Sequence, residues 1–330
     1  MDVMTQTAVV SDFHSIKPPL LREPLGSRVE LVVESLGSPD RLVAACKEHG
    51  ADAVITDINT PVPETAIDSL EVDIIARAAV GFDNIDIEAA HTAGITVTNA
   101  PGYCTEDVAI HTASLLLSGI RAIPQLDYNI KAGTWGSEVL YPPQPLHRTS
   151  DKTLGFIAFG EIAQRTAECT AGFGFNQIAY DPYLDSETID NLAVDIELVD
   201  LDTVLSNADY ISVNAPETPE THHLLNSDTF SQMQDHVLVV NTGRGGVVDE
   251  TALLNALDEN KIGAAALDVF ESEPLDADSP LAQHPDVITT PHIAWYSEES
   301  IQELNETVAQ NVSRVLAGKT PISPVEPEWA

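Results

Sequence analysis

The chain has 330 residues, 43% of them hydrophobic, with 52 acidic residues against 15 basic ones and a formal net charge of -37. That length exceeds one ordinary core and implies two domains, and the apolar fraction excludes a disordered chain. A field of that sign repels nucleic acids and anionic membranes, so neither is expected as a partner.

Short apolar, β-branched runs alternate with longer helical patterns, as in a parallel sheet covered by helices. The first series is TAVVSD, VELVVES, ADAVITD, DIIARAAV and ITVTNAP, ending near residue 101. Helices are expected between them at PDRLVAACKEHG and DIEAAHTAG, the latter closed by a glycine. A long helical pattern follows, TEDVAIHTASLLLSGIRAIPQLDYNIKAG, with Thr105 as the expected N-cap, acids in the first turn and Pro124 marking a kink or break. After the Pro-rich loop YPPQPLHRTSDK the second series runs KTLGFIAFG, FNQIAYDPY, DYISVNAP, HVLVVNTG, IGAAALDVF and DVITTPHI. From residue 297, SEESIQELNETVAQNVSRVLAG reads as one amphipathic helix. Two doubly wound, Rossmann-like parallel-sheet units in tandem account for almost the whole length. No repeat of roughly 20–50 residues suggests a solenoid.

Cys46, Cys104 and Cys169 are far apart and odd in number, which fits a reducing cytoplasm better than a disulfide framework. No CxxC, HxH or HExxH spacing is present, so no metal is expected. The N-terminus lacks a basic segment followed by an apolar one, so no signal peptide is expected, and no apolar run approaches the ~18 residues of a membrane helix. The acids are scattered through periodic sequence rather than gathered in a tail. Such a surface suits a folded protein that must stay hydrated in multimolar salt, so a halophilic origin is expected.

Two constellations carry chemistry. The strand–turn–helix KTLGFIAFGEIAQRTAECTAGFG aligns with a dinucleotide-binding GxGxxG at Ala158-Phe159-Gly160-Glu161-Ile162-Ala163, where only the middle glycine survives. Gly160 would permit close backbone approach to a pyrophosphate, alanine would replace the other glycines with modest crowding, and Asp181 would accept the ribose hydroxyls at the next strand end. An ordinary βα unit is the alternative. In the second constellation, Val80-Gly81, Arg244, Glu273 and His292 all follow strands, where ligands of doubly wound folds sit. A guanidinium can clamp a carboxylate and a carbonyl, an imidazole can carry a proton, and a carboxylate beside that imidazole can orient it. These are the needs of hydride transfer to a 2-keto acid, for which a cofactor supplies the hydride. Against this, Arg244 could simply pair with Asp249 or Glu250, and Glu273 could be one more solvated acid.

The blocks NTGRGGVVDE, GAAALDVFESEP and TPHIAWYSE resemble signatures of the D-isomer-specific 2-hydroxyacid dehydrogenases. GFDNIDIEAA, APETPETHHLLN and YDPYL match the same family, in order, from about residue 70 to 300. TPHIAWYSE and GFDNIDI resemble especially the C-terminal binding proteins, transcriptional corepressors that keep a dehydrogenase fold. The resemblance implies that Arg244 binds the substrate's carboxylate and carbonyl, Glu273 pairs with His292, and His292 is the acid–base group. It further implies substrate contacts at Arg77, Val80, Gly81 and Trp295, with the Val80 and Gly81 amides on the carboxylate. Cofactor contacts are implied at Val108, Ala158, Phe159, Gly160, Glu161, Ile162, Asp181, Ala215, Pro216, Thr221, Thr242 and Gly243, with Asp268 on the nicotinamide carboxamide. The implied substrate domain is discontinuous and flavodoxin-like, residues 1–101 and 297–330, around a dinucleotide domain at 102–296, and a homodimer is implied.

Three departures stand out. The turn has lost two glycines, and Glu161 stands where many members carry arginine, placing negative charge near a negative ligand. Gly243 replaces the family's common alanine. The chain stops shortly after its last helix, so the regulatory domain of many phosphoglycerate dehydrogenases is not expected. Asp181 favours NAD over NADP, and no basic residue follows it in DPYLDSETID, yet strong salt would screen the repulsion and leave NADP plausible. The expected activity is reduction of a 2-keto acid to a D-2-hydroxy acid, and the alternative is a nucleotide-sensing protein resembling the corepressors. A formate dehydrogenase would typically carry glutamine in place of Glu273.

Overall fold

The computed structural model describes residues 5–135, 145–184, 192 and 194–327. Part of the Pro-rich loop (residues 141–144) and most of the stretch after Asp181 (185–191) therefore lie outside the described residues. The chain divides into two compact units, Met1–Cys104 with Ser297–Ala330, and Thr105–Tyr296.

In the first unit, strands β1 (Gln6–Ser11), β2 (Val29–Glu34), β3 (Ala53–Thr56), β4 (Ile74–Arg77) and β5 (Thr96–Thr98) pair in parallel in the order β2-β1-β3-β4-β5. This is the flavodoxin-like order. All four residues of β3 and of β4 are buried, because both faces of a parallel sheet are covered, and this makes their sequences continuous apolar runs rather than alternating ones. Helix Pro39–His49 starts on the Ser38 side chain and ends at Gly50, whose φ of 58° is left-handed. The C-terminal helix, Glu298–Leu316, belongs to this unit. Ser297 and Ser300 close its first turn with a capping box, and Ile301, Leu304, Val308 and Val312 form its buried stripe. Asn305 on the same stripe donates to Ser15 O at 2.9 Å and accepts from Lys17 N at 2.7 Å, tying the helix to the chain after β1.

The second unit has β6 (Thr153–Ile157), β7 (Asn176–Tyr180), β8 (Glu197–Leu198), β9 (Tyr210–Val213), β10 (Leu238–Asn241), β11 (Ala264–Leu267) and β12 (Val287–Thr289). Among the described residues they form a parallel sheet in the order β12-β11-β10-β9-β6-β7-β8. The order reverses between β6 and β9, which is the switch point at which doubly wound sheets bind ligands. The edge strand β8 was not expected, since two residues are too short to show a period.

The long helical pattern is two helices, Thr105–Ile120 and Ile123–Lys131. The break falls at Ala122, left-handed with φ 49°, so Pro124 sits in the first turn of the second helix, where its missing N–H leaves no bond unmade. Thr105 is the first helical residue rather than the residue before the helix.

Candidate active site

Between β6 and helix Glu161–Thr170 the chain turns through three residues. Ala158 donates its N–H to Tyr180 O at 2.8 Å and adopts φ 63°. That conformation is free to glycine but costs an L side chain about 1–2 kcal/mol, so alanine here introduces backbone strain rather than the modest crowding expected from sequence. Ala163, the other replacement, is fully buried in the helix. Phe159 packs its ring on Phe156, with centroids 5.3 Å apart, and donates its N–H to Asp181 Oδ2 at 2.8 Å. Asp181 Oδ1 accepts from Tyr183 N at 2.9 Å, so the expected ribose acceptor also clamps the turn. No side chain caps the helix at Gly160, and a Cβ there would meet nothing within 4 Å. The amides of the first helical turn are therefore open to an anion. Glu161 is exposed at that same terminus, and Ile162 is half-buried.

At the ends of β11 and β12, Glu273 and His292 meet. His292 Nδ1 lies 2.7 Å from Glu273 Oε2, and Glu273 Oε1 accepts from Phe270 N at 3.0 Å. Burial disfavours the Glu273 carboxylate. The hydrogen bond and charge of His292, the Phe270 amide and the charge of Arg244 outweigh it and hold Glu273 below the ordinary carboxylate range. The pair lines an open recess of about 340 Å³ with Phe270, Leu275 and Thr290. Trp295 Nε1 donates to His292 O at 2.9 Å, and its ring meets Tyr296 edge-on.

Arg244 follows β10. Asn241, fully buried at the end of that strand, accepts from Gly243 N at 3.0 Å and donates to Arg244 O at 2.9 Å, fixing the backbone that carries the guanidinium. Nη1 of Arg244 donates to Gly243 O at 2.9 Å. The acids weighed as its simple partners are engaged elsewhere. Asp249 caps helix Glu250–Asp258, and Glu250 exchanges backbone-to-side-chain bonds with Glu271. Sequence reasoning missed Asn241, although a polar residue ending an apolar run was the available signal. It also missed why NTGRGG carries paired glycines: a Cβ on Gly245 would stand 2.0 Å from the Phe270 carbonyl carbon. Glycine therefore lets the Arg244 loop pack against the backbone whose amide holds Glu273.

The other expected contacts of this unit lie on helix Thr105–Ile120 and on several loops. Val108 and Ala215 are buried, at 6% and 3% exposure, while Pro216 is exposed. Thr221 donates to Pro216 O at 2.6 Å and closes its own loop. Thr242 bonds Thr112 at 2.7 Å. An alanine Cβ at Gly243 would lie 3.0 Å from Ala215 O. Asp268 is fully buried and accepts from Thr290 Oγ1, Ile293 N and Ala294 N, so it serves the His292 loop. In the first unit, buried Arg77 donates Nε to Gly81 O at 2.9 Å, and Val80 is 37% exposed at the same strand end. Among the described residues, no group of three or more His, Cys, Asp or Glu could hold a metal ion. No described helix is long and apolar enough to cross a membrane.

Residues 113–294 match the family model described as D-isomer specific 2-hydroxyacid dehydrogenase, NAD binding domain. D-3-phosphoglycerate dehydrogenase of Archaeoglobus fulgidus is 37% identical over 291 residues, covering 88% of this chain and 54% of that protein. The glyoxylate reductase of Paecilomyes thermophila superposes with a TM-score of 0.86 at 27% identity, covering 99% of this chain and all of that one. The NADPH-dependent glyoxylate/hydroxypyruvate reductase of Sinorhizobium meliloti, solved with NADP and malonate, gives 0.85 at 27% identity, covering 98% of each chain. The chain spans about half the length of the curated relatives it matches.

Proposed function

The chain belongs to the D-isomer specific 2-hydroxyacid dehydrogenase family, and from that premise we propose that it reduces a 2-keto acid to a D-2-hydroxy acid. The observation that carries the reading is the 2.7 Å contact between His292 and Glu273, with Arg244 on the next loop. Glu273 stays ionised and accepts the hydrogen bond of Nδ1–H, which fixes the ring's orientation and leaves Nε2 of the protonated His292 to give its proton to the carbonyl oxygen. Arg244 holds the substrate's carboxylate and carbonyl as a fork, with Trp295 a further substrate contact on the same unit; the contacts proposed on the first unit are Arg77 and the amides of Val80 and Gly81.

The bare helix terminus behind Gly160, Asp181 at the next strand end, Val108 on helix Thr105–Ile120, and the loops bearing Pro216, Thr221 and Thr242 fit a nicotinamide dinucleotide. When bound, that cofactor supplies the hydride. NAD is the expected form because Asp181 repels a 2′-phosphate, with NADP tolerated where salt screens that charge. The test is NADH oxidation with a panel of 2-keto acids in high salt. Turnover of one or more supports the reading, and turnover of none favours the nucleotide-sensing alternative, for which the relatives described above offer no support.

Two further parts of the reading rest on surface composition. Helix Ile123–Lys131 buries no residue, and Ile123, Tyr128 and Ile130 are exposed along with Trp135 at 87%. A second copy covering this apolar face makes a homodimer, which sedimentation would show or refute. With a net charge of -37 the protein is halophilic on this reading, its three separated cysteines fit a cytoplasmic setting, and full activity after dialysis into dilute buffer would remove the halophilic part.

A further inference from the structure

We propose that His111 is a positioning residue for His292, acting through Thr290 and Asp268; the proposal rests on the proton-carrying role given to His292 above. His111 lies on helix Thr105–Ile120, its side chain 24% exposed. Its Nε2 is 3.1 Å from Thr290 Oγ1 and 3.7 Å from Asp268 Oδ1.

The direction of each bond follows from the protons available. Asp268 Oδ1 accepts the Thr290 hydroxyl at 2.5 Å and the Ile293 amide at 3.0 Å, and Oδ2 accepts the Ala294 amide at 2.9 Å. The Thr290 hydroxyl has one proton, which goes to Asp268. His111 must then donate Nε2–H to Thr290. The chain of donors runs from His111 to Thr290 to Asp268, and the carboxylate it feeds also holds the two amides that follow His292.

Those amides matter because His292 has φ 49°, a backbone conformation an L side chain keeps only where its surroundings enforce it. The His292 amide is held as well, by Asp268 O at 2.8 Å and Thr290 O at 3.1 Å. Asp268 therefore grips residues 292–294 through both its carbonyl and its carboxylate. Thr290 and His111 in turn fix that carboxylate. Without the His111 donor, the Thr290 hydroxyl is free to rotate from Asp268, and the loop carrying His292 gains room to relax away from Glu273.

The test compares His111→Leu, which removes the donor, with His111→Gln, whose amide places an N–H at similar reach. The loss of one such hydrogen bond predicts a kcat for keto-acid reduction about 3–10-fold lower in His111→Leu, with KM and thermal midpoint close to those of the unaltered protein and most of kcat restored in His111→Gln. In histidine-labelled protein, the His292 Nδ1–H resonance, assigned by its absence in His292→Ala, should shift or broaden in the Leu variant and return in the Gln variant. An unchanged kcat with an unmoved resonance would overturn the proposal. So would a lowered midpoint with unchanged kcat, which would make His111 a strut between helix and sheet. If the unaltered protein reduces no keto acid, the functional reading fails and the resonance alone decides the role of His111.

Discussion

The dinucleotide-binding unit contains two histidine–carboxylate pairs of the same length at opposite ends of one sheet. Glu273 and His292 meet at 2.7 Å where β11 and β12 finish; Asp209 and His236 meet at 2.7 Å where β9 and β10 begin. What differs is the company. Asp209 also takes Lys152 Nζ at 2.6 Å and Thr153 N at 2.8 Å, so one carboxylate, 10% exposed, gathers the starts of three strands. Glu273 and His292 are each about a third exposed, and His292 stands on a left-handed backbone. The two histidines are similarly exposed, at 28% and 32%, so the carboxylate makes the difference: one that is 10% exposed and neutralised by Lys152 is a clamp, whereas one a third exposed on irregular loops can help exchange a proton with something that arrives. In a doubly wound sheet that division follows the polarity of the strands, with ligands at their carboxyl ends.

The sharpest way to break the comparison is to remove each histidine. His292→Ala should lower kcat by about 10²–10⁴-fold, the usual contribution of general acid–base catalysis, with the thermal midpoint little changed. His236→Ala should do the reverse, lowering the midpoint while leaving kcat intact. Steady-state kinetics and thermal melts on both variants decide it, and a catalytic loss in His236→Ala would erase the distinction between the ends.

Arg244→Lys comes next in size. A lysine is a point charge and cannot reproduce a bidentate fork, so KM for keto acids should rise roughly 10–100-fold. NADH affinity, read by fluorescence, should hardly move. An equal loss of both would take Arg244 off the substrate.

At the other end, Asp209→Ala should cost about 2–4 kcal/mol of stability, because Thr153 N, Lys152 and His236 lose a shared and nearly buried acceptor. Burial disfavours the Asp209 carboxylate, but the hydrogen bonds from Lys152, Thr153 and His236 and the charge of Lys152 prevail and hold it below the ordinary range. A carboxylate depressed in the folded state contributes stability that is present above its unfolded pKa and lost as pH falls through the folded one. Glu273 has the same sign. Denaturant melts should therefore show stability falling below about pH 4, the unfolded range of these acids, with a weaker fall in Asp209→Ala. An unchanged acid limb in that variant would count against the clamp.

How much of this the sequence disclosed depends on the distance over which a feature is written. The strands of the second unit were legible because continuous apolar runs ending in Arg244, Glu273 and His292 are local patterns, and those ends place the three residues on adjacent loops. The Asp209 clamp was not, since Lys152, Asp209 and His236 are dispersed along the chain and become neighbours only through the order of β6, β9 and β10. Nor was the bond of Asp268 to the amides after His292, because no local pattern shows where a buried carboxylate points. The two-residue β8 is too short to show a period, and the helix break falls at Ala122, two residues ahead of the proline that should have marked it. The flavodoxin-like order of the first unit was expected from family resemblance and is present in its strand pairing.

The smallest expected effect tests the turn at Ala158. Left-handed residues occur at both ends of the sheet, but different types fill them. Asp151 and Asn260, which lead into β6 and β11, are short polar residues that tolerate positive φ, whereas Ala158, after β6, is not. Replacing Ala158 with glycine removes strain of about 1–2 kcal/mol and adds about 0.5–1 kcal/mol of unfolded-state entropy. At the middle of both ranges the difference favours the variant by roughly 0.5–1 kcal/mol. For a protein of this size that is a rise of about 1–4 °C in the thermal midpoint. Asn260→Gly is the control, since asparagine already bears the conformation, and it should gain nothing. Cofactor affinity should hold or improve in Ala158→Gly, because Phe159 N and Asp181 keep their bond and the amides behind Gly160 are untouched. A midpoint that stays level or falls in Ala158→Gly, with Asn260→Gly behaving the same way, would mean that the turn is not strained and that the two ends of the sheet do not differ in this respect.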